Sequence, residues 1–195
     1  MKKIISLFKR DYEGTRQVYD EIVPGAEWVV AGEGVATAKY DGTACMVRDG
    51  VLYKRYDRRL KKGTYKPAPE GWEAAQDADP KTGHWPGWVP VGDGPEDKWH
   101  REPLKWNPEP QDGTYELIGP KVQGNPYHAS SHELTPHGQD VISPAPPRQY
   151  AELRLWLEAH EKVEGIVWHH PDGRMVKIKR RDFGLSWPVK GVEND

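Results

Sequence analysis

Two largely apolar runs, 43–48 and 51–56, flank the dipeptide Asp49-Gly50. That dipeptide tolerates the positive φ of a tight turn, so the pattern predicts an antiparallel hairpin with Arg48 opposite Val51 and Ala44 opposite Arg55. A second hairpin is expected from 163–168 and Met175–Lys179 around His169-His170-Pro171-Asp172-Gly173-Arg174. Pairing Trp168 with Met175 puts Ile166 opposite Lys177 and Glu164 opposite Lys179. In that register Glu164, Lys177 and Lys179 share one face, and Val167 and Ile178 take the other. Residues 114–118 read as a further strand, ended by Gly119-Pro120.

Helical spacing runs through 148–162, where Tyr150, Leu153 and Leu157 fall on one face behind Pro146-Pro147. Residues 11–23 read as a short helix capped by Asp11 or Thr15 and stopped before Pro24-Gly25. Residues 26–38 read as strand broken at Gly32 and Gly34. The stretch 63–112 is rich in Gly, Pro and Trp and has little periodicity. It carries Trp72, Trp85, Trp88, Trp99 and Trp106, too much aromatic surface to leave in water, and is read as an ordered insertion with short strands. No internal repeat or linker interrupts the chain. The expectation is one α+β domain over 1–195.

Composition narrows the function. Hydrophobic residues make up 36% of 195 residues, and no apolar run approaches the ~20 residues that span a bilayer. The N-terminus lacks the apolar core and small-residue cleavage site of a secretory signal. Cys45 stands alone, which excludes an internal disulfide and a multi-cysteine zinc site. A reducing intracellular compartment, the cytoplasm by default, is expected, with no membrane association and no protein partner implied. The histidines lack zinc-type spacing, and His169 and His170 are expected in a solvated turn. Net charge is only -2, so positive charge matters locally, in the runs 54–62 and 177–181.

The sharpest candidate chemistry is Lys39-Tyr40-Asp41-Gly42. A lysine at a strand end before a glycine turn can point its amine into a cleft while the backbone closes on a ligand. Alone, such a tetrapeptide is ordinarily a surface turn. Likewise Glu164, Lys177 and Lys179 alone could be a solvated salt-bridge ladder. Taken in order, the residues resemble the motifs of the covalent nucleotidyltransferase superfamily, the ATP-dependent DNA and RNA ligases and mRNA capping enzymes. Lys39-Tyr40-Asp41-Gly42 resembles the nucleophile motif, with Arg55 at the next basic position. Tyr115-Glu116-Leu117-Ile118-Gly119 is similar to the sugar-contacting motif. Glu164-Gly165-Ile166-Val167 and Lys177-Ile178-Lys179 resemble the metal-supporting and closing motifs. Thr82-Gly83-His84-Trp85-Pro86-Gly87-Trp88, the run 112–121 and Lys177-Ile178-Lys179-Arg180-Arg181-Asp182-Phe183-Gly184 are similar to small single-domain 5′-to-3′ RNA ligases.

The resemblance implies a ligase-type nucleotidyltransferase domain, antiparallel sheets flanked by helices. Sixteen residues follow Lys179, too few for an OB domain, which favours a minimal RNA ligase. It implies ATP, with Mg²⁺ or Mn²⁺, and RNA bearing 5′-phosphate and 3′-hydroxyl ends. Lys39 would carry AMP, with Lys177 and Lys179 as the other catalytic lysines, whose charge favours the neutral, nucleophilic amine. Asp41, Gly42, Arg55, Glu116 and Val167 would complete the ATP site, Glu116 on the ribose and Val167 against adenine. Glu164 would serve the metal, directly or through water, with Asp41 as a second acidic candidate. Arg58, Arg59, Lys61, Lys62, Arg180 and Arg181 are the candidate RNA-binding cations. His137 or Tyr127 could stack on adenine. The alternatives are a GTP-dependent capping guanylyltransferase, a minimal DNA ligase, or a nucleotide- or RNA-binding module without turnover.

Overall fold

The computed structural model describes residues 4–61, 63 and 65–189. Its strands are β1 (Ile5–Ser6), β2 (Phe8–Arg10), β3 (Val18–Ile22), β4 (Val35–Lys39), β5 (Thr43–Arg48), β6 (Val51–Arg59), β7 (Glu73–Ala74), β8 (His84–Pro90), β9 (Gly113–Ile118), β10 (Glu133–Pro136), β11 (Gly165–His169) and β12 (Met175–Lys179). The α-helices are α1 (Glu27–Val30), α2 (Lys98–Arg101) and α3 (Tyr150–Ala159). The expected α+β class is observed. The chain forms two compact units, one of residues 41–137 and one of residues 4–40 with 138–189.

Residues 41–137 build a six-stranded sheet in the order β10-β9-β5-β6-β8-β7, antiparallel throughout. Its β5–β6 hairpin turns where expected, with Asp49 and Gly50 at φ 52° and 72° and Arg48 opposite Val51. One sheet face buries Cys45, Val47, Leu52, Tyr115 and Leu117. The other face carries a row in which Ala44 pairs with Glu116 and Arg55 pairs with Trp88. Trp72, Trp85 and Trp88 pack on or within this sheet and Trp99 stacks on His132, whereas Trp106 is exposed, contrary to expectation. Trp72 lies on Gly87, where a Cβ would come within 2.2 Å of the indole. The Arg58 guanidinium sits 4.9 Å from the ring centroids of both Trp72 and Trp85.

Residues 4–40 with 138–189 build a four-stranded sheet, β1-β12-β11-β4, in which β1 runs parallel to β12 and the other neighbours are antiparallel. Ile166, Trp168, Val176 and Ile178 point into a core closed by Leu153 and Leu157 of α3. This face is set by apolar residues at every second position. Arg180 ends β12 by donating to the carbonyls of Leu157 and His160, the last turn of α3 and the residue that caps it.

Three further sequence expectations are corrected. Residues 11–23 are not a helix. The Asp11 carboxylate does accept the amides of Glu13, Gly14 and Thr15, as a helix cap would. After that single turn Arg16 adopts φ 61° and the chain continues as β3 beside β2. Residues 26–38 contain α1 before β4 rather than broken strand. The β11–β12 hairpin is shifted by one residue: His169 pairs with Met175, Val167 with Lys177 and Gly165 with Lys179.

Candidate active site

The corrected register changes which side chains gather. A one-residue slip exchanges the two faces of one strand relative to the other. Val167 therefore lies on the face of Lys177 and Lys179, opposite Ile166 and Ile178, and not behind them. On the other side of β11, Gly165 pairs with Lys39 and Val167 with Thr37. Lys39, Gly165 and Lys179 thus form one row across β4, β11 and β12, and Thr37, Val167 and Lys177 form the next. Glycine is required between the two lysines, because a Cβ at Gly165 would sit 2.3 Å from the Ile178 carbonyl oxygen.

Glu164 immediately precedes β11 and is 5% exposed. Its Oε2 lies 2.9 Å from Lys39 Nζ, which also donates to the Tyr40 carbonyl at 3.1 Å. Burial lowers the Lys177 pKa, and the positive charges of Lys39 and Lys179 lower it further. Three lysines and one buried carboxylate are thus concentrated in a small volume. Asp182 organises the end of β12: its carboxylate accepts the Lys179 amide at 2.9 Å and pairs with Arg10. Among the described residues no three His, Cys, Asp or Glu side chains gather as a metal site. One buried carboxylate beside three lysines suits a magnesium-type ion only if that ion is held mainly by substrate phosphates and water; Glu164 is the residue that would contribute it.

The other residues predicted for the ATP site, Asp41, Gly42, Arg55 and Glu116, lie in the unit of residues 41–137. Glu116 is engaged through both oxygens: Oε1 accepts the Gly42 amide at 3.1 Å, and Oε2 lies 2.9 Å from His137 Nε2. His137 therefore carries a bond to a carboxylate, which the sequence did not signal. Gly42 lies flat on β9, where a Cβ would be 2.2 Å from the Leu117 carbonyl oxygen. The Asp41 amide donates to the Tyr127 hydroxyl at 2.6 Å. Arg55 Nε donates to Asp57 at 2.6 Å, Asp57 also meets His84 Nε2 at 2.8 Å, and the Arg55 guanidinium lies 5.4 Å from the Trp88 centroid. Cys45 is buried, and that burial with the charge of Glu116 pushes its thiol up to about 12, so it offers no nucleophile.

The candidate RNA-binding cations divide. Arg59 and Lys61 are exposed, and Arg181 is exposed while donating to the Trp187 carbonyl at 2.7 Å. Arg58 is sandwiched by tryptophans, and Arg180 is buried against α3 with 3% exposure. Both side chains are held by their own fold. Lys62 lies outside the described residues. His169 and His170 are not free in the turn as expected: His169 Nε2 meets Thr37 Oγ1 at 3.1 Å, and His170 lies between Glu33 and Asp172, 2.8 Å from each. Gln123, which donates to the Gly42 carbonyl, and Asp140, which accepts from the Tyr40 hydroxyl, lie in no motif of the sequence. No helix among the described residues is long and apolar enough to cross a membrane.

Comparison with known proteins gives a consistent set of relatives. A family model described as RNA ligase 1 matches residues 103–194. RNA ligase 1 of Mus musculus is 30% identical over 80% of this chain and 68% of its own length. RNA ligase 1 of Rattus norvegicus is 30% identical over 80% of this chain and 69% of its own. For RNA ligase 1 of Danio rerio the values are 32%, 79% and 68%.

Proposed function

Because the chain belongs to the RNA ligase 1 family, we propose that it is an ATP-dependent RNA ligase of nucleotidyltransferase fold that carries AMP on Lys39. The observation that carries this reading is the gathering of Lys39, Lys177, Lys179 and Glu164 on or beside the adjacent strands β4, β11 and β12, with Lys39 Nζ 2.9 Å from the Glu164 carboxylate.

Lys39 Nζ, freed of its extra proton, attacks the α-phosphate of ATP. A P–N bond forms, the bond to the pyrophosphate oxygen breaks, and pyrophosphate leaves. Lys177 and Lys179 hold the phosphate oxygens and balance the charge that builds on them, which is where fixed cations accelerate phosphoryl transfer. Val167, on the same face, packs against the adenine, and Glu116 holds ribose hydroxyls. The RNA 5′-phosphate then takes AMP from Lys39, restoring the lysine and leaving a 5′-5′ pyrophosphate link. In the last step the RNA 3′-hydroxyl attacks that 5′-phosphate and AMP departs. A divalent cation at Glu164 would supply further charge neutralisation at the phosphates. Asp41 is a second candidate for that ion, and Arg59, Lys61 and Arg181 are exposed cations available to the RNA backbone.

A gel assay with 5′-phosphorylated single-stranded RNA, hairpin RNA and nicked DNA tests the substrate. RNA joining that requires ATP and is lost in Lys39→Ala is expected. Sealing of the DNA nick with no RNA product, or adduct formation from GTP and not ATP, would move the assignment to a DNA ligase or a capping enzyme.

A further inference from the structure

We propose that Tyr40, Asp140, Gln123 and Tyr127 are positioning residues that splint the main chain on either side of Lys39. The inference rests on the reading of Lys39 as the nucleophile. The motif residues after a nucleophilic lysine are easily read as a flexible glycine turn, but here the backbone around them is held group by group. The Asp41 N–H donates to the Tyr127 hydroxyl at 2.6 Å. The Gly42 N–H donates to Glu116 Oε1 at 3.1 Å, and the Gly42 carbonyl accepts from Gln123 Nε2 at 3.2 Å. Ahead of the turn, the Ala38 N–H donates to the Asp140 carbonyl at 2.8 Å. The Tyr40 hydroxyl donates to Asp140 Oδ2 at 2.7 Å.

These bonds come from residues far away in the chain, so the turn does not hold itself. Asp140 belongs with residues 4–40, and Gln123, Tyr127 and Glu116 belong with Asp41 and Gly42. The main chain is therefore gripped in each unit, immediately before and immediately after the Tyr40–Asp41 peptide. The segment that supplies Gln123 and Tyr127 is itself shaped for the purpose. Gln123, Asn125 and His128 adopt φ of 48°, 53° and 51°, values uncommon for residues other than glycine. Asn125 closes this loop by accepting the Ala129 amide at 2.9 Å and donating to the Ala129 carbonyl at 3.1 Å. A lysine attacking phosphorus must approach in line and at short range, so bonds that restrain the main chain on each side of it serve the step directly.

Three variants that remove one polar group each test this: Tyr40→Phe, Gln123→Ala and Tyr127→Phe, in the full chain. Single-turnover adenylylation would be followed with labelled ATP and Mg²⁺, with thermal unfolding alongside. Each variant should lower the maximal rate by roughly 10-fold, since small misplacements of a reacting group are costly. The ATP concentration for half-maximal rate should stay within about twofold, because Tyr40 and Gln123 are not placed on the nucleotide and Tyr127→Phe keeps the aromatic ring, and the double variants should fall short of multiplying, as residues restraining one turn do. Amide exchange at Asp41 should quicken in Tyr127→Phe. Folded variants with the wild-type maximal rate would overturn the inference. So would a raised half-saturating ATP concentration at unchanged maximal rate, which would make these residues nucleotide contacts. If the unaltered protein took no AMP on Lys39, the functional reading would fail first. Unchanged Asp41 exchange in Tyr127→Phe would then dismiss the splint independently.

Discussion

At the scale of single residues, the chemistry asks the protein to keep cations where burial disfavours them. Lys177 shows this most clearly, because burial, Lys39 and Lys179 all lower its pKa. A lysine whose folded pKa lies below its unfolded value of ~10.4 costs stability while it is charged. That cost is full below the folded pKa and recedes as pH rises from there towards the unfolded value. Lys177→Met removes it, so at neutral pH the variant should melt higher than the parent, by ~2–4 °C for each kcal/mol recovered, while adenylylation collapses. A scanning calorimetry trace beside an adduct assay reads both. A lower melting temperature would mean that Lys177 stabilises the sheet and is not held there for function. The residues proposed to react were singled out in the sequence because their order along the chain is distinctive. Their partners were not: nothing in the composition around Gln123, Asp140 or His137 announces a bond to the residues flanking Lys39 or to Glu116.

At the scale of elements, β5–β6 was legible because Asp49-Gly50 permits essentially one tight turn. The β11–β12 turn was not, because a longer loop leaves the register to tertiary packing. His169 continues the pairing to Met175, and the chain closes through His170 and Arg174, whose backbones bond at 2.9 Å. Burial of Trp168 and Ile166 against α3 decides the face, and this brings Val167 onto the lysine side. The mistaken helix at 11–23 has a similar cause, since a genuine capping residue was followed by one turn instead of three. Helix α2 and its 3-10 flanks are anchored to β6 by the buried pair Asp97 and Lys54. Burial raises the Asp97 pKa, but the bonds from Lys54 and the Gly92 amide outweigh it and the net shift is downward. The stability so gained is present above the unfolded carboxylate value of ~3.9 and is lost as pH falls through the folded one. Lys54→Met should cost ~3–5 kcal/mol near neutrality by stranding a buried charge. Urea midpoints measured downward in pH should converge for parent and variant once Asp97 is protonated. A pH-independent gap would assign the loss to packing of the lysine stem.

At the scale of the whole molecule, the α+β class could be read from the chain and is the class the structure has, and the resemblance to RNA ligases agrees with membership of the RNA ligase 1 family. A net charge of -2 hid the local concentration of lysines, because acidic residues elsewhere balance them. The two compact units were not legible, since no linker composition marks Tyr40–Asp41 or His137–Gly138. The central claim is that Lys39 is the residue adenylylated by ATP. The most direct measurement is intact mass, followed by peptide mapping, after incubation with ATP and Mg²⁺. One AMP gained on the peptide containing Lys39, and none in Lys39→Ala, is the predicted result; an adduct that persists in Lys39→Ala, or no mass gain in the folded parent protein, would contradict it.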